Sequence, residues 1–212
     1  DDAPRTVTYH YPGLWACAGV NETGLGLVWT GGGYFPKVEP VVGVPTYVLI
    51  DEILLQPNVG AALDWLAGVK HAGCFIFFLG DATGATAIVE AVPGRTKIVR
   101  NADSLSRANH YLCKDIAKCG SQKRPNKKKT STLQRADRMN ELRQKYDGQF
   151  DGRAAEAILT DRGNDWPWVH QYPGGKSAHE LAGMTIDSLY VDCRAKTLHT
   201  ARGGRDPGPW IA

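Results

Sequence analysis

Five cysteines (Cys17, Cys74, Cys113, Cys119, Cys193) and six histidines (His10, His71, His110, His170, His179, His199) are the side chains best able to attack, shuttle protons or bind metal. The cysteines are odd in number and none are spaced as CxxC, which argues against a zinc site and a complete disulfide framework. Cys17 and Cys74 sit in apolar strand-like stretches and read as small core residues. The histidines are scattered; His170 and His179 share an aromatic region, but no acidic ligands stand at metal spacing beside them. No metal and no cofactor are therefore expected. No GxSxG elbow, phosphate loop or dinucleotide fingerprint is present. Asn109, followed by His110, is more suggestive. A fixed amide can donate to an oxyanion; equally, such an Asn can bond its own backbone in a turn.

Positioning such groups falls to a hairpin within Ala16 to Gly33, ACAGVNETGLGLVWTGGG. Leu14, Ala16, Ala18 and Val20 alternate before the turn, and Leu25, Leu27 and Trp29 after it. In Asn21-Glu22-Thr23-Gly24, Asn tolerates positive φ and Gly adopts it freely. Gly31 to Gly33 allow close backbone approach or local mobility. The hairpin could floor a site or be ordinary core. Asn21-Glu22-Thr23 also matches the glycosylation triplet, although in a tight turn.

Around this hairpin the chain alternates strands and helices. Arg5 to His10 reads as a strand that begins almost at the first residue, which suggests sheet neighbours from sequence outside this chain. A helix is expected from Pro45-Thr46 to about Gln56, and a second, capped by Asn58, through Val69. Gly73 to Gly80 is an apolar strand buried on both faces. Asp81 to Gly84 turns into Thr86 to Val92, and Thr96 to Arg100 follows. Thr132 to Tyr146 is an amphipathic helix with Leu133, Ala136, Met139, Asn140 and Arg143 along one side. A short helix capped at Asp151-Gly152 runs through Thr160. The aromatic loop Asp161 to Ser177 carries Trp166, Trp168, His170 and Tyr172 and is long enough to be functional. Strands at Met184 to Val191 and Lys196 to Ala201 follow, joined by a turn at Asp192 to Arg194. The tail reads as punctuation. The order fits an α+β fold with antiparallel sheets, best as a four-layer αββα sandwich and otherwise as a two-layer fold.

Composition excludes several classes. The 212 residues suit a single domain of ordinary composition, 42% hydrophobic and 22% charged. A net charge of +3 does not call for a polyanionic partner. The basic run within Cys119 to Thr130 has no interleaved aromatics for base stacking and reads as a solvated loop, so no nucleic acid is expected. No apolar run is long enough for a membrane span. No signal peptide is read at the N-terminus, leaving the compartment open with the cytoplasm favoured.

Gly19 to Gly31, Gly43 to Leu54, the Asp81 to Glu90 hairpin, Ala108 to Leu112 and Thr132 to Met139, in that order, resemble the isopenicillin N acyltransferase family. These are cysteine N-terminal-nucleophile (Ntn) hydrolases related to choloylglycine hydrolases. The resemblance runs through nearly the whole chain and implies the αββα fold. It also implies amide chemistry, in which an N-terminal Cys freed by autoproteolysis forms a thioester and passes the acyl group to water or an amine. Asn109 then falls on the oxyanion-hole Asn, and Trp29 and Thr30 on residues that line the pocket and offer a backbone N–H. Trp168 and His170 are further candidates for substrate binding, with an apolar or aromatic acyl group suggested by their loop. Small N-acyl amines or amides are the implied substrates, with an acyl-CoA as a further donor. Two departures stand out. Neither Asp1 nor Cys17 can be the nucleophile, which is expected on a companion chain or segment, so that 1–212 is one domain incomplete at its N-terminal side. An arginine expected before the penultimate strand is absent near Leu181-Ala182. Both departures would also suit a non-catalytic binding module on the same fold.

Overall fold

The structure, a computed structural model, describes residues 3–14, 16–32, 38–100, 106–119, 131–162, 169, 185–204 and 207–212. These group into two compact units.

In the first unit, six strands form one antiparallel sheet in chain order: β1 (Thr6–Tyr9), β2 (Ala18–Asn21), β3 (Gly26–Gly31), β4 (Phe75–Gly80), β5 (Thr86–Val92) and β6 (Arg95–Arg100). Strict alternation sorts its side chains. Leu25, Leu27, Phe75, Phe77, Val89 and Ala91 face two helices, α1 (Thr46–Leu54) and α2 (Val59–Ala67), which bury Leu49, Ile50, Ile53, Leu63 and Leu66 against them. Full burial of each large side chain stabilises by roughly 1.5–3 kcal/mol. Ile76, Ile88 and Val92 face the other way, toward Tyr111 and the short helix α3 (Lys114–Ala117), an element the sequence reading did not anticipate. Asn58 caps α2 as expected, accepting from Ala61 N at 2.9 Å. Leu14, expected to alternate with the hairpin strand, precedes it and is exposed. β1 and β6 are the edge strands, and Val7 on β1 is exposed.

The two strand turns share one device. At the first, Asn21 Oδ1 accepts from Thr23 N, Thr23 Oγ1 and Leu25 N (3.1, 2.7 and 2.9 Å). At the second, Asp81 Oδ1 accepts from Thr83 N, Thr83 Oγ1 and Ala85 N (3.0, 2.5 and 3.3 Å). In each the glycine, Gly24 or Gly84, takes the positive φ. Asn21 ends β2 with ordinary φ and uses its side chain. The remaining atom of each side chain reaches a helix end. Asn21 Nδ2 donates to the Leu54 and Gln56 carbonyls at the end of α1 (2.9 and 2.8 Å). Asp81 Oδ2 accepts from Val59 N at the start of α2 (3.0 Å). A donor thus meets the carbonyl end of one helix and an anion the amide end of the next. Burial would raise the Asp81 carboxyl, but the bonds from Thr83, Val59 and Ala85 outweigh it and hold the group below its ordinary range. Asn21, buried and bonded at both amide atoms, is not an open glycosylation acceptor.

His71 is buried beside Phe75, its Nε2 3.0 Å from Thr96 Oγ1. Burial holds the ring below the ordinary histidine range, against a smaller opposing contribution from the Gly73 backbone. A group neutral in the fold but protonated in the unfolded chain stabilises above its unfolded pKa, near 6.5, and that stability is lost as pH falls through and below it. Urea midpoints are expected to drop between pH 7.5 and 5, and to drop less in His71→Gln; parallel profiles would contradict this.

The second unit contains α4 (Ser131–Lys145), α5 (Gly152–Leu159) and most of a three-stranded sheet, β7 (Asp187–Asp192), β8 (Thr197–Arg202) and β9 (Trp210–Ile211). The tail is therefore not mere punctuation, because Trp210 and Ile211 pair with Ala201 and Thr200. Asp151 caps α5, accepting from Ala154 N at 2.9 Å. Leu142, absent from the expected apolar side of α4, is its buried residue, whereas Asn140 is exposed. Arg138 grips Asp161 through two bonds of 3.0 and 2.7 Å. The tip of the β7–β8 turn belongs to the first unit, where Cys193 packs over Gly26 and burial pushes its thiol up to about 11. Among the described residues, no helix is long and apolar enough to cross a membrane.

Candidate active site

The site lies within the first unit and is built on one transverse row of its sheet. Strand register aligns Thr30 with Ile76, Ile76 with Glu90 and Glu90 with Lys97, all on the face away from α1 and α2. Residues 109–115 cross the sheet along this row, from β3 to β6. Asn109 Nδ2 donates to Thr30 Oγ1 (2.6 Å) and to the Gly31 carbonyl (3.1 Å). Leu112 N and Cys113 N donate to the Glu90 carboxylate (3.0 and 2.9 Å). Asp115 pairs with Lys97 at 3.5 Å.

Tyr111 fastens the middle of the segment. Its hydroxyl donates to the Ala91 carbonyl at 2.9 Å, and burial pushes the phenol well above the ordinary tyrosine range. A Cβ at Gly32 would overlap the Tyr111 ring, so this glycine admits the close approach expected of the triplet. His110 and Tyr111 are buried, whereas Asn109 is exposed at the β3 end of the row.

The candidate residues divide between the two faces. Thr30 and Asn109 come together. Trp29, one residue before Thr30, points to the opposite face, where its ring meets Tyr47 edge-on at 5.6 Å. Cys17 is on that side too; burial raises its thiol, while bonding to Trp29 and to the Tyr11 backbone lowers it less. Trp168 and His170 lie outside the described residues. Among the described residues, no group of three or more His, Cys, Asp or Glu side chains could hold a metal ion.

Glu90 was not anticipated as part of the site. It is fully buried in the apolar strand TAIVEAV, and a buried carboxylate needs partners. That lone acid was the available signal; what it could not disclose was that the partners are backbone amides about twenty residues on. Removing it in Glu90→Ala is expected to cost about 1–3 kcal/mol and to free the Asn109 segment. Faster hydrogen exchange at Leu112 and Cys113, with β4 and β5 amides unchanged, would show this. Unchanged exchange at both sites would contradict it.

Against known proteins, residues 6–205 match the family described as acyl-coenzyme A:6-aminopenicillanic acid acyl-transferase. No curated protein matches. Two variants of the conjugated bile acid hydrolase from Clostridium perfringens are similar in structure. The first has a TM-score of 0.65 at 15% identity, with 96% of this chain and 75% of that one covered. The second has a TM-score of 0.62 at 14% identity, covering 93% and 72%. This likeness shows the fold, the α+β class with antiparallel sheets expected from the element order.

Proposed function

The chain belongs to the acyl-coenzyme A:6-aminopenicillanic acid acyl-transferase family, and from that premise we propose that it supplies the oxyanion-stabilising wall of an enzyme that cleaves or forms amide bonds. In this reading a cysteine at the start of a segment outside this chain attacks the acyl carbonyl. The C–N bond breaks, the thiol proton leaves with the amine, and a thioester remains for water or a second amine to open. Asn109 and Thr30 face the oxygen that gains charge.

The observation that supports this most is the placement of the exposed Asn109 amide on Thr30 Oγ1, 2.6 Å away, at the end of β3. Because Thr30 accepts from Asn109, its own hydroxyl hydrogen is free to point outward. Exchanging the Asn109 bond to the Gly31 carbonyl for one to the substrate would bring a second donor to the same point. Donors aimed where charge develops are what such chemistry uses. Glu90 and Tyr111 act as positioning residues, since they hold the segment without reaching the substrate.

The test is a screen of the protein, with its nucleophile-bearing segment, against N-acyl amino acids, bile-acid-type conjugates and acylated lactams for release of a free amine. Release from at least one class is expected. No release from any class by folded protein would contradict the reading.

A further inference from the structure

Three of the five cysteines gather on one face of the first sheet. Cys74, Cys113 and Cys119 pack against the buried cluster of Ile76, Ile88, Val92, Tyr111 and Ile116. All five cysteines are half-buried and unbridged, so exposure does not rank them and their neighbours must. Cys119, just past α3, has its sulfur 3.2 Å from the Arg95 guanidinium, and its own S–H donates to the Asp115 carbonyl at 3.5 Å. Register brings a second thiol to the same place. Phe75 pairs with Ala91 and Val92 with Arg95, so Cys74, one residue before β4, continues the row of Val92 and Arg95. Cys74 thus shares a row and a face with the residue that holds Cys119. Burial first, and the charge of Cys119 second, hold the Cys74 thiol above its ordinary range.

The two sulfurs suit two different steps. A thiolate is the form that attacks an oxidant, and at Cys119 a permanent cation already stands against the sulfur that would carry the charge. Cys74, kept as a thiol, suits the partner that reacts second and resolves the product. The other cysteines have other settings. Burial raises Cys17 and Cys193, and the Cys113 backbone is bound to the Glu90 carboxylate. We propose that Cys119 and Cys74 form a thiol pair that hydrogen peroxide closes to a disulfide between α3 and the start of β4. Cys119 sulfur attacks one peroxide oxygen and the O–O bond breaks. Hydroxide leaves and takes the thiol proton as water, and Cys119 becomes a sulfenic acid. Cys74 sulfur then attacks Cys119 sulfur, the S–O bond breaks, and a second water departs with the Cys74 proton. Two thiols are oxidised by two electrons and one peroxide is reduced to two waters. The bond would fasten α3, and with it the end of the transverse segment, to β4.

Peptide mapping of the complete protein, treated with hydrogen peroxide and then alkylated, reads each cysteine separately. The expected product is a peptide pair linked through Cys74 and Cys119 and released by dithiothreitol. Cys74→Ser should leave the sulfenic acid on Cys119, where dimedone traps it. Arg95 is exposed, so Arg95→Gln is expected to keep the wild-type melting point while Cys119 oxidises about tenfold more slowly. Cys119 still reduced when Cys17, Cys113 and Cys193 have oxidised would overturn the proposal. So would a cross-link that joins Cys119 to Cys113 instead, or equal rates in Arg95→Gln and wild type. The wild-type map decides the pairing even if Cys74→Ser does not fold.

Discussion

Replacing Asn109 by alanine in the complete enzyme is expected to lower kcat by about a hundredfold or more while leaving KM comparatively unchanged. The bond at issue strengthens only as the carbonyl oxygen takes on charge, so ground-state binding loses little. Asn109→Asp is expected to be worse, because a carboxylate at that point repels the developing oxyanion. Thr30→Val should reproduce part of the loss, since it removes both the acceptor that holds Asn109 and the second donor. Were Asn109 only a brace between the transverse segment and β3, the alanine variant would melt earlier yet turn over normally per folded molecule. Thermal denaturation and steady-state kinetics on the same preparation separate the two, and normal kcat in Asn109→Ala would end the assignment.

The second large effect is on stability and comes from the paired turns. Asn21→Asp is nearly isosteric, yet it turns the donor against the Leu54 and Gln56 carbonyls into an anion. Two bonds are lost, and a buried negative charge faces the negative end of α1. The expected cost is about 3 kcal/mol, or a melting point lower by about 6–12 °C in a chain of this size. The reverse change, Asp81→Asn, withdraws an anion from the amide end of α2 and is expected to cost about 1 kcal/mol. The double exchange should show no compensation, because each side chain is matched to its own helix end. A melting point for Asn21→Asp within about 2 °C of wild type would refute the polarity argument.

These two sites show what was legible in the sequence and what was not. The turns themselves could be read from Asn-x-Thr-Gly and Asp-x-Thr-Gly, because glycine at positive φ and short polar side chains are local chemistry. Their second role was hidden, since Asn21 reaches acceptors more than thirty residues on and Asp81 a donor more than twenty residues back. The strands of the six-stranded sheet and the cap at Asn58 follow from periodicity and turn residues, and the structure has them within a few residues of expectation. α3 was missed because a single turn of helix carries no period. In the site, the resemblance singled out Asn109 and Thr30, and the structure joins them directly. It also named Trp29, whose side chain the alternation of β3 turns to the other face, against Tyr47. The row from Thr30 to Lys97 is a property of register, which depends on pairings between distant strands and is invisible until the sheet is assembled.

The central claim is that this chain stabilises acyl transfer to a cysteine borne on another segment. Intact-mass analysis of the complete protein, quenched in acid after mixing with an N-acyl substrate, tests it most directly. The expected result is a mass increase equal to the acyl group, confined to the polypeptide that carries the nucleophilic cysteine and removed by hydroxylamine. In Asn109→Ala the adduct should form about a hundredfold more slowly or not at all. Amine release with no acyl adduct at any quench time, or an adduct formed at the same rate in Asn109→Ala, would contradict the account.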